Sequence, residues 1–97
     1  MTAYVIAEVE ITDPAGYKPY TELVPATIAL YGGRFLVRGA AAEVLEGDWP
    51  PRRRVIIEFP SMEAARAWWD SPEYAGPKAM RRAASRGRLV LLEGFDG

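Results

Sequence analysis

Residues 54–74 read RVIIEFPSMEAARAWWDSPEY, and this stretch holds one strand, one helix and the starts of two helices. Val55, Ile56, Ile57 and Phe59 are β-branched or aromatic around the single charge of Glu58, which fits a pleated, half-buried strand. Pro60 closes the run because it has no N–H to give to a sheet ladder. Ser61 is then an N-cap residue, and Glu63 places a carboxylate at the positive end of the helix dipole, so a helix is expected from Met62. Ala64 and Trp68 lie four apart, as do Ala65 and Trp69, so one indole faces the sheet and its neighbour flanks it. The spacing with Ala65 assigns the sheet-facing role to Trp69. Ser71-Pro72-Glu73 repeats the start signal, with a capping hydroxyl, proline at the first helical position and an acid behind it.

Towards the N-terminus, residues 3–11 alternate, with Val5, Ala7, Val9 and Ile11 on one face and Tyr4, Ile6, Glu8 and Glu10 on the other. Thr12-Asp13-Pro14 starts a helix, and Tyr17, Tyr20, Val24, Ile28 and Tyr31 recur at helical spacing to about Tyr31. Pro25 falls inside this pattern and is expected to bend it, because it removes one intrahelical hydrogen bond. Gly32-Gly33 supplies a left-handed C-cap. Arg34–Arg38 is a second strand, with Phe35 and Val37 on the dry face and Arg34, Leu36 and Arg38 on the other. Gly39 to Ala42 is weak strand material, so a bulge or break is expected before residues 43–46 resume the strand. The turn-forming residues 47–51 then lead back into the Arg54 strand as a hairpin. Beyond Tyr74, Gly76-Pro77 interrupts regularity, residues 78–85 continue as a short helix, and residues 88–95 form the last strand.

The order β, α, β, β, α, β, with right-handed crossovers, predicts an α+β fold: a ferredoxin-like, four-stranded antiparallel sheet with its helices on one face. Tyr4, Ile6, Leu36, Ile56, Val90 and Leu92 are left on the opposite face, an apolar surface that a second copy is expected to cover as a homodimer.

With 97 residues, the chain has room for one domain, 1–97, that buries roughly 60 to 65% of its extended-chain surface. Hydrophobic residues make up 49% and charged residues 26%, as in globular proteins rather than disordered ones. A net charge of −1 gives no electrostatic case for nucleic acid or an anionic membrane as partner. The N-terminal run carries Glu8 and Glu10 and has no basic leader, so neither signal peptide nor membrane span is expected and the location is cytoplasmic by default. Histidine and cysteine are both absent, which removes the commonest general base, thiolate chemistry and the usual transition-metal ligands. Neither a metal nor a cofactor is expected.

Asp13-Pro14, the run Gly32 to Gly39, Glu46-Gly47-Asp48-Trp49, Ile57 to Ser61 and Trp69 to Tyr74 together carry a resemblance. Over nearly its whole length the sequence resembles the bacterial family known as domain of unknown function thirteen-thirty, in the dimeric α/β-barrel superfamily. The resemblance implies a ferredoxin-like subunit that dimerises sheet against sheet into a barrel, and it implies no established activity. Small monooxygenases, decarboxylases and haem-handling proteins belong to the same superfamily, but their motifs do not carry over here. Without histidine or cysteine, only Tyr or Met would remain for haem ligation.

No phosphate loop, nucleotide fingerprint, paired-carboxylate or serine-triad pattern is present, so the sequence names no catalytic residue and leaves enzymatic activity open. The candidate ligand-binding residues are Arg38, Glu58, Tyr17, Tyr20 and Trp49. Arg38 would anchor an acidic group through its guanidinium fork, with Glu58 on the neighbouring strand to orient it. A structural ion pair is the competing reading for these two residues. Tyr17 and Tyr20 would line the pocket or serve as core, and Trp49, on a turn, would form a cleft rim or fold over the sheet edge. Arg52 to Arg54 and the cluster Arg81, Arg82, Arg86 and Arg88 read as solvated basic faces. Two functional classes follow. One is a dimer that binds or converts a small acidic or apolar metabolite in the barrel cleft, and the other is a non-catalytic interaction or scaffold module. A cavity of a few hundred Å³ with convergent polar groups separates the first from the second.

Overall fold

The structure, a computed structural model, describes residues 1–95. The last two residues of the expected domain lie outside the described residues. The elements are β1 (Ala3–Ile11), α1 (Pro14–Leu30), β2 (Arg34–Arg38), β3 (Arg53–Phe59), α2 (Met62–Trp69), α3 (Pro72–Ala84) and β4 (Ser85–Glu93). They form an antiparallel sheet in the order β2-β3-β1-β4, the expected ferredoxin-like α+β arrangement.

The local signals act as their chemistry requires. The Asp13, Ser61 and Ser71 side chains accept from the backbone N–H groups of Gly16, Ala64 and Tyr74 at the three helix starts. Gly32 adopts φ 76° just past α1, where the chain turns into β2. Ser71 also donates its hydroxyl to the Trp68 carbonyl at 2.8 Å, which ties the end of α2 to the start of α3. The amides of Thr12 and Asp13 both donate to the Ala84 carbonyl at 3.0 Å, which fixes the entry of α1 against the exit of α3.

Ala3, Val5, Ala7 and Val9 of β1 and Val55, Ile57 and Phe59 of β3 are buried beneath the helices. Of the two neighbouring indoles it is Trp68, 1% exposed, that fills the core, while Trp69 is half-buried beside it; the assignment from the Ala65 spacing is corrected. Ala65 and Trp68 are three apart, the other same-face spacing of a helix. Trp68 stacks on Tyr74 with ring centroids 4.1 Å apart, packs against Phe59 at 5.4 Å, and donates its Nε1–H to the buried Thr27 hydroxyl at 3.1 Å.

Three further expectations are corrected. Residues 43–46 form no strand, and the chain from Gly39 to Arg52 is an irregular connection that leaves Val44, Leu45 and Trp49 exposed. Gly76-Pro77 does not interrupt α3, which is continuous and delivers Ala84 directly into β4. Leu89 and Leu91 of β4 pack against the core but are only partly buried, and Ile11 is exposed at the end of β1. Finally, the irregularity expected near Gly39 to Ala42 lies at Leu36: Phe35 pairs with Ile57, but Val37 pairs with Ile56 and Arg38 with Val55. One extra residue inverts the side chains that follow it. Val37 therefore leaves the helix-covered face and Arg38 joins it.

Candidate functional site

Pro25 has no N–H, so the Thr21 carbonyl four residues earlier has no donor within α1. Arg38, turned towards α1 by the bulge, donates from Nη2 to this carbonyl at 2.5 Å, and its guanidinium lies 4.5 Å from the centre of the Phe35 ring. Arg38, Tyr17 and Tyr20 thus come together around a small chamber of about 30 Å³ between α1 and the sheet, which Arg53 and Arg81 also line. Gly39, at φ 69°, has no Cβ to collide with the Arg53 guanidinium packed against it.

Glu58 and Trp49 do not join this group. Glu58 pairs across the strands with Arg34, Nε to Oε1 3.0 Å, on the helix-free face, so its expected pairing with Arg38 is corrected: the strand register sets Glu58 opposite Arg34, and Arg38 lies opposite Val55 on the other face. Trp49 stays in the β2–β3 connection, where its indole donates to the Glu46 carbonyl and lies 5.3 Å from the Arg54 guanidinium.

The larger opening lies on the other side of the same wall. Between α2, α3 and β4 is an open cleft of about 570 Å³ with a floor of Val5, Leu89 and Leu91. Trp68 and Trp69 form its aromatic side, and Arg66, Arg81 and Arg82 bring the charge; no carboxylate is among the residues that line it. Arg81 and Trp68 separate the cleft from the chamber, since both line the two spaces.

Arg81 is the residue whose role sequence reasoning missed. It lies seven residues after Tyr74 on the sheet-facing side of α3 and is only 5% exposed. Its Nε donates to the Tyr74 hydroxyl at 3.4 Å, and Tyr74 in turn lies 3.0 Å, oxygen to oxygen, from Tyr20. Among the described residues Arg38, Arg53 and Arg81 take part in no ion pair, and for Arg81, the buried one of the three, that is unusual, since buried cations are ordinarily matched by acids. The seven-residue step from Tyr74 is the signal for Arg81, but it is legible only if α3 runs through Gly76-Pro77.

Burial pushes the Tyr20 phenol well above its usual range, and the adjacent Tyr74 pushes it further. Burial also raises Tyr17, against the opposing pull of Arg53. Both phenols are therefore neutral hydrogen-bonding groups near pH 7 and not proton acceptors. At the rim, the Lys78 ammonium lies 4.1 Å from the centre of the Trp69 ring and donates to the Trp69 carbonyl; desolvation and then Arg82 lower its pKa. No group of three His, Cys, Asp or Glu side chains among the described residues is placed to hold a metal. No helix among them is long and apolar enough to cross a membrane.

A helix-backed antiparallel sheet carrying an arginine- and tryptophan-lined cleft defines the class: a small α+β protein of ferredoxin-like fold. Residues 2–95 match the family described as Domain of unknown function (DUF1330), and the chain belongs to that family. A protein of unknown function from Rhodopseudomonas palustris is 21% identical, with 99% of this chain and 84% of that one covered at a TM-score of 0.78. A dimeric ferredoxin-like protein of unknown function from Jannaschia sp. CCS1 is 13% identical, with 97% and 100% covered at 0.73. SnoaB, a cofactor-independent oxygenase from Streptomyces nogalater, is 13% identical, with 99% and 95% covered at 0.59. At these identities the likeness shows the fold alone. Comparison with curated proteins gives no match.

Proposed function

We propose that this protein binds a small organic acid with an apolar, ring-sized body in the cleft between α2, α3 and β4, and that it does so as a homodimer. The observation that carries the reading is Arg81, a buried guanidinium on the wall of an open cleft with no carboxylate to pair with. A ligand carboxylate or enolate oxygen supplies the missing countercharge, and the planar guanidinium can hold it through two parallel N–H bonds. The Trp69 ring and the leucine floor take the apolar body.

The dimer follows from the face that the helices leave uncovered. Leu36, Val90 and Leu92 are 44 to 50% exposed there, beside the partly buried Tyr4, Ile6 and Ile56. An isologous contact removes this patch from water, and the dimeric Jannaschia protein of the same fold supports that arrangement.

Titration of tryptophan fluorescence with aromatic carboxylates and their matching primary amides tests the binding reading. Saturable quenching by an acid, with its amide about ten-fold weaker or worse, supports it, since a charge-assisted hydrogen bond contributes about 1.5 to 3 kcal/mol. Absence of saturation across such a series rejects it. A second reading, a non-catalytic interaction module, draws on Val44 and Leu45 in the β2–β3 connection, 54% and 91% exposed. Replacing both with serine leaves ligand binding unchanged under the first reading.

A further inference from the structure

We infer that the chamber between α1 and the sheet is a site for one small monovalent anion, no larger than nitrate, separate from the organic acid of the cleft. The chamber measures about 30 Å³, and about 10 to 15 Å³ accommodates one water, so it holds a single small ion and excludes a metabolite. Three guanidinium groups, Arg38, Arg53 and Arg81, line it together with the phenol of Tyr17. Arg53 Nε is buried and has no hydrogen-bond partner within the protein. Such a donor costs free energy unless an acceptor is supplied.

Two kinds of occupant could accept from Arg53. Water would satisfy the hydrogen bond but leave the charges of the three lining arginines, Arg81 buried, Arg53 partly buried and Arg38 at the exposed edge, to repel one another. An anion satisfies the donor and also offsets that repulsion, and among the described residues no carboxylate pairs with these arginines. The walls suit retention of such an ion. Arg38 is fastened to the Thr21 carbonyl beside the chamber, and Arg53 lies over the Tyr17 ring at 5.9 Å. The neutral state of Tyr17 leaves its hydroxyl able to donate to the ion. The inference does not depend on the ligand of the cleft, because the chamber and the cleft have different sizes and share only the Arg81 wall and its neighbours.

The test uses the full chain, with chloride against gluconate at matched ionic strength, gluconate being too bulky for the chamber. The melting temperature is expected to rise with the logarithm of chloride concentration above that seen in gluconate. The same chloride-specific rise is expected in Arg66→Met, which alters only the cleft, and is expected to disappear in Arg53→Met. Crystals of the unaltered chain grown in bromide supply a readout that no variant can spoil: an anomalous peak beside Arg53 and Tyr17. A chloride response equal to that in gluconate, or bromide crystals with no peak in the chamber, overturns the inference.

Discussion

Arg38 donates to the carbonyl of Thr21, the one backbone acceptor that Pro25 leaves without its helical partner. A proline in the body of α1 thereby becomes a fastening point for β2, and the bulge at Leu36 brings the arginine to it. Arg38→Met is expected to cost about 1 kcal/mol in the natural sequence, less than a fully buried charged hydrogen bond because the residue is exposed. In a Pro25→Ala background, where the substituted residue regains an N–H that can donate to Thr21 itself, the same change is expected to cost almost nothing. Denaturant melts of the two single variants and the double variant measure the coupling, and additive effects would contradict this account.

Trp68 and Trp69 are adjacent but energetically unlike. Trp68→Ala is expected to cost about 3 to 5 kcal/mol, through lost burial, an unfilled cavity and the lost indole hydrogen bond to the Thr27 hydroxyl, which keeps its own bond to the Val24 carbonyl. Trp69→Ala is expected to cost roughly 1 to 2 kcal/mol, since its ring is half-buried and its polar neighbours can turn to water. Equilibrium unfolding of both variants checks the order.

Stability is expected to fall above about pH 10. Tyr17 and Tyr20 have folded-state pKa values raised from 10.0. Below that pH both phenols are protonated in the folded and unfolded chains and make no difference between them. As pH rises through 10, the unfolded chain releases its protons while the folded chain retains them, so unfolding becomes easier by up to about 1.4 kcal/mol per pH unit per tyrosine. Unfolding midpoints at pH 8, 10 and 11 for the natural chain and Tyr20→Phe test this. The variant is expected to lose less of its stability across that range.

Charge placed on the helix-free face is expected to separate the proposed dimer. Val90 is half exposed and pairs with Ile6 in the sheet. Val90→Lys is expected to sediment as a monomer with unchanged far-ultraviolet circular dichroism. A natural chain that is already monomeric at micromolar concentration contradicts the dimer.

The fold was readable because its signals are local. Ser61, Ser71 and Asp13 declare helix starts, Pro60 and Gly32 declare ends, and the alternation in β1 and β3 declares their faces. The site was less readable because it depends on register. The strand register gave Glu58 to Arg34, a single inserted residue at Leu36 moved Arg38 from one face to the other, and no composition signal marks that bulge. Arg81 was obscured for another reason. Gly76-Pro77 suggests a break, yet α3 runs unbroken through Pro77, which costs the helix one backbone hydrogen bond without ending it, and only an unbroken helix sets Arg81 two turns beyond Tyr74. The resemblance over the whole chain supplied the family, and the family supplies no activity.

Arg81→Met is the variant that bears most directly on the proposed function. Methionine keeps the length and the apolar stem of the side chain but removes the unpaired buried charge, so stability is expected to be unchanged or raised. The measurement is a calorimetric titration of the natural chain and Arg81→Met with an aromatic carboxylate that binds the former. The account predicts at least about a ten-fold loss of affinity in the variant while it remains folded. Equal affinity in the two proteins would contradict the assignment of Arg81 as the anchor of the cleft.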